Sequence, residues 1–180
     1  FRADIADVHY QLGVLANSLE TLDSARLHYE NALKLFLQLC KDEPGHKLNQ
    51  RKLSQCYNSL GNLFQETGDL AEAETNYLEA SQIVAVLAAE PPPNITDRQL
   101  QMTVLNNLAA LYTIRGKATQ AIACFQQILI PFQQGEPADP MSALAAHLNL
   151  SVLYRPAGNL PQASESLVEA RKILGRLRKE

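Results

Sequence analysis

Apolar residues in the middle of the chain recur at helical intervals. Leu53, Tyr57, Leu60 and Phe64 lie three or four residues apart, and Leu70, Ala73, Tyr77, Ala80 and Val84 repeat the spacing after a polar break at Gly68-Asp69. Side chains so spaced share one face of an α-helix, and the pattern predicts two amphipathic helices. The break supplies a C-terminal glycine for the first helix and an N-cap aspartate for the second, so the connection is a tight turn. Small residues hold matching places, and Gly61 is expected to face Ala73 where the helices cross, with Phe64 and Tyr77 filling the flanks.

The same pattern returns along the chain. Moving residues 10–32 forward by 48 lays Leu12, Gly13, Ala25, Tyr29 and Ala32 on Leu60, Gly61, Ala73, Tyr77 and Ala80. A second step of 48 reaches Leu108, Ala109, Ala121 and Phe125, and a step of 42 reaches Leu150, Ser151, Ala163 and Leu167. Proline-containing segments, "KDEPGH", "AAEPPPNITD" and "QQGEPADP", break helicity between copies. The helix pairs are expected at about 1–41, 47–89, 96–133 and 140–178, within a single domain covering 1–180. Pro156 is expected to stop or bend the first helix of the fourth copy near Tyr154 and to disfavour a helical Arg155.

Leu-Gly, Tyr, Ala and aromatic residues at these offsets resemble the tetratricopeptide repeat (TPR). The aromatic first position is Tyr57 in the second copy but His9, Leu105 and His147 in the others, and the period exceeds the usual 34 residues. The stretch "LNNLAALYTIRGKATQAIACFQQIL" is similar to the 42-residue units of kinesin light chains. The 48-residue spacing is similar to repeat arrays of bacterial serine/threonine kinases. The resemblance implies an all-α fold, a right-handed α-solenoid of four antiparallel helix pairs whose first helices line a concave groove.

By register, the groove positions are Tyr10, Asn58, Asn106 and Leu148 in one row, Gln11, Ser59, Asn107 and Asn149 in a second, and Val14, Asn62, Ala110 and Val152 in a third. Asparagine is a poor helix-interior residue, and its recurrence calls for a reason. An amide offers both donor and acceptor to the backbone of an extended peptide. The same amides could instead tie neighbouring helices together, and sequence leaves both open.

Composition narrows the function without naming it. A net charge of -3 over 180 residues, with 46% hydrophobic residues, describes a globular domain without the basic excess of a nucleic-acid or membrane-surface binder. No apolar run reaches a spanning length, and the start "FRADIADVHY" reads as cut from a longer chain. Cys40, Cys56 and Cys124 read as buried free thiols in a reducing, cytoplasmic compartment. Phosphate loops, zinc signatures, nucleophile elbows and kinase motifs are lacking, so no enzyme activity, cofactor or metal is expected. His9, His28 and His147 read as packed or solvent-facing, and "NIT" at 94–96 as a chance sequon.

The C-terminal "ARKILGRLRKE" is basic, but Ala163, Leu167, Ala170, Leu174 and Leu177 form one apolar stripe that the basic residues mostly flank, cations suit a helix C-terminus, and the polar outer face suits a terminal repeat. The expected function is therefore a non-catalytic module that binds an extended protein or peptide segment. The alternative is a regulatory or self-associating segment of a bacterial signalling kinase.

Overall fold

The computed structural model describes residues 1–92, 94–134 and 139–178, and among them every regular element is helical. In order these are α1 (Arg2–Ser18), α2 (Leu22–Asp42), α3 (Lys47–Glu66), α4 (Leu70–Ala89), α5 (Ile95–Ile114), α6 (Ala118–Gln133), α7 (Pro140–Tyr154) and α8 (Leu160–Leu177). The fold is the all-α helical repeat the pattern predicts. Parts of two proline breaks, residue 93 and residues 135–138, and the last two residues of the basic tail lie outside the described residues. The helices form two compact units, Phe1–Val104 and Leu105–Glu180, which are taken in turn.

In the first unit each pair closes on itself through a tyrosine. A Cβ built on Gly61 would stand 2.6 Å from the Tyr77 ring, and one on Gly13 would stand 2.6 Å from the Tyr29 ring. The expected contact between Gly61 and Ala73 is thereby revised: the glycine is small to admit the ring, while Ala73 is buried on its own account. α2 packs on α3, with Ala32 and Phe36 joining Leu53 and Cys56 in one core cluster. Further along, Ala80 and Val84 of α4 cluster with Val104 of α5. A bidentate ion pair staples this end of the unit: Arg51 of α3 donates from Nε to Asp97 Oδ1 and from Nη2 to Asp97 Oδ2 at 2.8 Å. Asp97 is almost wholly buried, in the first turn of α5.

The turns follow the sequence closely. Gly68, Gly116 and Gly158 adopt φ of 85°, 69° and 73°, the left-handed region that ends a helix. Asp69 caps α4 by accepting from the Glu72 N–H at 3.3 Å. The equivalent place 48 residues before Gly68 is held by Glu20, which adopts φ 58° without being glycine. Asn94 of the "NIT" triplet accepts from the Thr96 N–H at 2.8 Å, so the triplet serves the start of α5.

In the second unit α7 packs on both α6 and α8. It ends at Tyr154, as Pro156 requires, although Arg155 keeps helical angles (φ −60°, ψ −56°). The turn that follows is closed by the Asn159 N–H donating to the Tyr154 carbonyl at 2.9 Å. The C-terminal stripe departs from expectation. α8 buries Ala163 and Ala170 as expected, but with Ser166 and Ile173 beside them in place of Leu167 and Leu174, which are exposed.

Two stability changes follow. Glu20→Gly removes a left-handed strain and should stabilise the first unit by about 0.5–1 kcal/mol after the added chain entropy of glycine. Arg51→Ala strands the Asp97 carboxylate and should cost about 3 kcal/mol or more, whereas replacing both partners by Met and Leu should cost less than Arg51→Ala alone. Urea midpoints read both; a harmless Arg51→Ala would show that the pair carries no stability.

Candidate partner-binding surface

The groove positions of the first unit fall on α1 and α3. Tyr10 is half-buried, its ring 5.7 Å from that of Tyr29 at an interplanar angle of 48°. Its hydroxyl lies 3.2 Å from Ser59 Oγ on α3, and Lys52 of α3 pairs with Asp7 at 2.7 Å. Tyr10 and Ser59 therefore tie α1 to α3. Gln11 and Val14 are exposed. Asn62 is exposed too, yet its Oδ1 accepts a 2.6 Å hydrogen bond from the Tyr77 hydroxyl, with Gln65 Oε1 a second acceptor at 3.3 Å. Burial pushes the Tyr77 phenol up to about 12, so it remains a donor throughout the neutral range. Asn58 is half-buried on the same helix.

In the second unit Asn106 and Asn107 are half-buried on α5. Leu148, Asn149 and Val152 are exposed on α7, where Leu148 and Val152, four residues apart, form a short apolar ridge. The third row is thus exposed in all four helices: Val14, Asn62, Ala110 and Val152 each face solvent. The first two rows are mixed, with Tyr10 and Ser59 committed to holding helices together.

A cleft of about 490 Å³ in the second unit was not foreseen. Its apolar wall is Leu129, Phe132 and Leu150, and its polar wall includes His147, Tyr154, Glu165 and Arg176. The Tyr154 hydroxyl accepts from Gln126 Nε2 at 3.0 Å. His147 is buried, and its Nδ1 meets no hydrogen-bond partner among the described residues. The sequence signal was present: His147 stands where the second repeat has the larger Tyr57. Of the other histidines, His9 and His28 pair, their Nδ1 atoms 3.2 Å apart, and His46 caps α3 by accepting from the Asn49 N–H at 3.3 Å.

The thiols are chemically quiet. Burial raises Cys56 to about 12 and Cys124 to about 11, and it raises the half-buried Cys40 as well. Among the described residues no group of His, Cys, Asp and Glu is placed to hold a metal ion, and no helix is long and apolar enough to cross a membrane.

Paired helices, a glycine-closed turn and a repeated small-and-aromatic register define a helical-repeat protein, and comparison gives the repeat its name. The tetratricopeptide repeat family profile matches residues 53–89 and 102–130, and those two stretches are tetratricopeptide repeats. A search of curated proteins returns no match. Solved structures share the fold. BtubC (BKLC) from P. vanneervenii is 21% identical with a TM-score of 0.74, over 97% of this chain and 65% of that one. Aspartyl phosphate phosphatase F from Bacillus subtilis is 13% identical with a TM-score of 0.74, over 98% and 42%. The MamA protein is 14% identical with a TM-score of 0.51, over 98% and 95%. The chain therefore spans less than two thirds of the length of the first two.

Burial holds the His147 imidazole below its usual 6.5, opposed by the nearby Glu169 and Glu165 carboxylates. The folded chain thus prefers neutral His147, while the unfolded chain binds the proton more readily. Stability from this group is fully present above about pH 6.5 and declines as pH falls below it toward the lower folded value. His147→Tyr, which fills the cleft as Tyr57 fills its own slot, should flatten the loss between pH 7.5 and 5. Urea midpoints at both pH values check this, and an unchanged slope would remove His147 from the explanation.

Proposed function

We propose that the chain is a non-catalytic interaction module that binds an extended segment of a protein partner along the first helices of its repeats. The observation that carries this reading is the exposure of Val14, Asn62, Ala110 and Val152, one equivalent position on each of α1, α3, α5 and α7. Repeats that carry tetratricopeptide character imply protein partners, and a row left uncovered in every copy is where a partner can lie. Gln11, Asn58, Asn62, Asn106, Asn107 and Asn149 supply amides for the partner's backbone. Tyr10, Val14, Leu148 and Val152 supply apolar contact for its side chains. Tyr10 and Asn62 contribute while also bracing the helices behind them.

None of these positions is cationic, so a free C-terminal carboxylate finds no compensating charge and the ligand is an internal segment. The cell compartment that fits free, raised-pKa thiols is the reducing cytoplasm. The 48-residue period supports a second reading, a regulatory or self-associating segment of a bacterial signalling kinase; a kinase domain on the same polypeptide would favour it.

The test is calorimetry with a peptide recovered by pulldown, compared as free acid and C-terminal amide. Replacing Asn106 and Asn107 together by Ala should leave the chain folded and remove a few kcal/mol of affinity, at about 1 kcal/mol per net hydrogen bond. Strong preference for the free acid, or unchanged affinity in the double variant, would assign the asparagines to helix packing alone.

A further inference from the structure

The aromatic residue near the end of a repeat's first helix carries a cation in two of the repeats. In the first unit the Arg26 guanidinium of α2 lies 5.0 Å from the centre of the Phe64 ring on α3, while its Nε donates to Glu30 at 2.8 Å. In the second unit Lys117 Nζ, just before α6, lies 5.4 Å from the centre of the Tyr112 ring on α5. Phe64 and Tyr112 are 48 residues apart, and a further step of 42 reaches Tyr154 of α7. There both sources of the cation are gone. The same steps put Ile122 of α6 in the place of Arg26 and Asn159, ahead of α8, in the place of Lys117. Among the described residues no cation lies over the Tyr154 ring.

Tyr154 lines the cleft of about 490 Å³ instead. The walls come from three consecutive helices, α7 packing on both α6 and α8. Glu165 and Glu169, one turn apart on α8, both line it. Glu169 holds Lys172 at 2.6 Å in an exposed pair of the kind that exchanges at little cost, whereas Glu165 holds no cation among the described residues. Arg176, the lining cation, is eleven residues from Glu165, about 16 Å along the helix and roughly twice the screening length at physiological salt. The cleft also contains the buried His147, whose Nδ1 is sealed without a partner, so Nε2 is the nitrogen a guest can reach. His147 stands seven residues from Tyr154, about 10 Å along α7.

We propose that this cleft is a second binding site and that it takes an arginine side chain of a protein partner. The guanidinium sits at Tyr154 beside Glu165, where Arg26 and Lys117 supply a cation to Phe64 and Tyr112. Arginine suits the place better than lysine, because its planar head meets an aromatic ring and pairs with a carboxylate at once. The segment that carries the arginine enters over His147, two turns back along α7, and gives Nε2 a hydrogen-bond partner. A side chain is the occupant and not the free amino acid, because Leu129, Phe132 and Leu150 wall the cleft and oppose an α-ammonium and an α-carboxylate. The cleft shares no residue with the exposed row of Val14, Asn62, Ala110 and Val152, so the two sites stand or fall separately.

Titration of the isotope-labelled chain, followed by proton–nitrogen correlation spectra, tests this. The probe is N-acetyl-arginine amide, and the control is N-acetyl-citrulline amide, which has nearly the same shape and no charge. The arginine probe should shift the amides of residues 147–154 and 162–169 saturably, and the citrulline control should not. Glu165→Gln removes the carboxylate, and Asn159→Lys gives Tyr154 the cation that Lys117 gives Tyr112; each should weaken the probe by about fivefold or more. Glu165 is exposed and Asn159 makes no side-chain cap hydrogen bond, so circular dichroism should show unchanged folding, and each variant stands in for the other if one disturbs it. Absence of saturable shifts in α7 and α8, equal shifts with citrulline, or full affinity in both variants would overturn the proposal. Binding of free arginine without binding of the amide would overturn it too, by making the cleft a site for the amino acid itself.

Discussion

The tyrosine ring laid on a glycine sets the geometry of the first unit. Ordinary side chains cannot share the space, since a Cβ at Gly61 or Gly13 would come within 2.6 Å of the opposing ring. Small residues are buried along these helices, with Ala25 and Ala73 fully so, in keeping with the close approach. The ring also carries its hydroxyl past Gly61 to Asn62, to which it donates. Asn62 is the residue after Gly61, and it stands in the exposed row that the proposed peptide site uses. A packing rule in the core thereby fixes the orientation of a surface amide. The later repeats hold Ala109 and Ser151 at the glycine position and Phe125 and Leu167 at the tyrosine position, so neither can make the same hydroxyl bond.

Much of the fold was legible because its causes are local. Helix periodicity, the glycine at Gly68, the cap at Asp69 and the stop at Tyr154 each depend on residues within a few positions of one another. What escaped depends on distance along the chain. Arg51 and Asp97 are 46 residues apart, and no periodicity joins them. Gly61 could be recognised as a close approach, but its partner could not be chosen between Ala73 and Tyr77 without the crossing geometry. Glu20 occupies a glycine's place, which its left-handed angle shows and its residue type does not. The stripe on α8 was read from sequence spacing alone, whereas burial depends on which way the helix is rotated against α7; Ser166 and Ile173 go inside and Leu167 and Leu174 do not.

The proposed site was legible as a set of positions and less so as a set of roles. Register placed Tyr10 and Asn62 on the first helices correctly, yet both also brace the repeat, which no single-sequence pattern distinguishes from binding. Structures as different in name as BtubC, a phosphatase of Bacillus subtilis and MamA share this fold at 13–21% identity. The scaffold is therefore common ground, and function rests on what each chain exposes upon it. Here Val14, Asn62, Ala110 and Val152, one equivalent position on each of α1, α3, α5 and α7, are exposed, and the proposed site is built on them.

The dependence of the pair on the ring and the glycine is most directly measured by a double-mutant cycle on Gly61 and Tyr77, read by urea unfolding. In the parent, Gly61→Ala forces a methyl into the ring and should destabilise by about 1–3 kcal/mol, despite the better helix propensity of alanine. With Tyr77→Ala already in place the methyl meets open space, and the same change should be neutral or stabilising by up to about 1 kcal/mol. An equal cost of Gly61→Ala in both backgrounds would contradict the claim, because the glycine would then be required by the backbone and not by the ring.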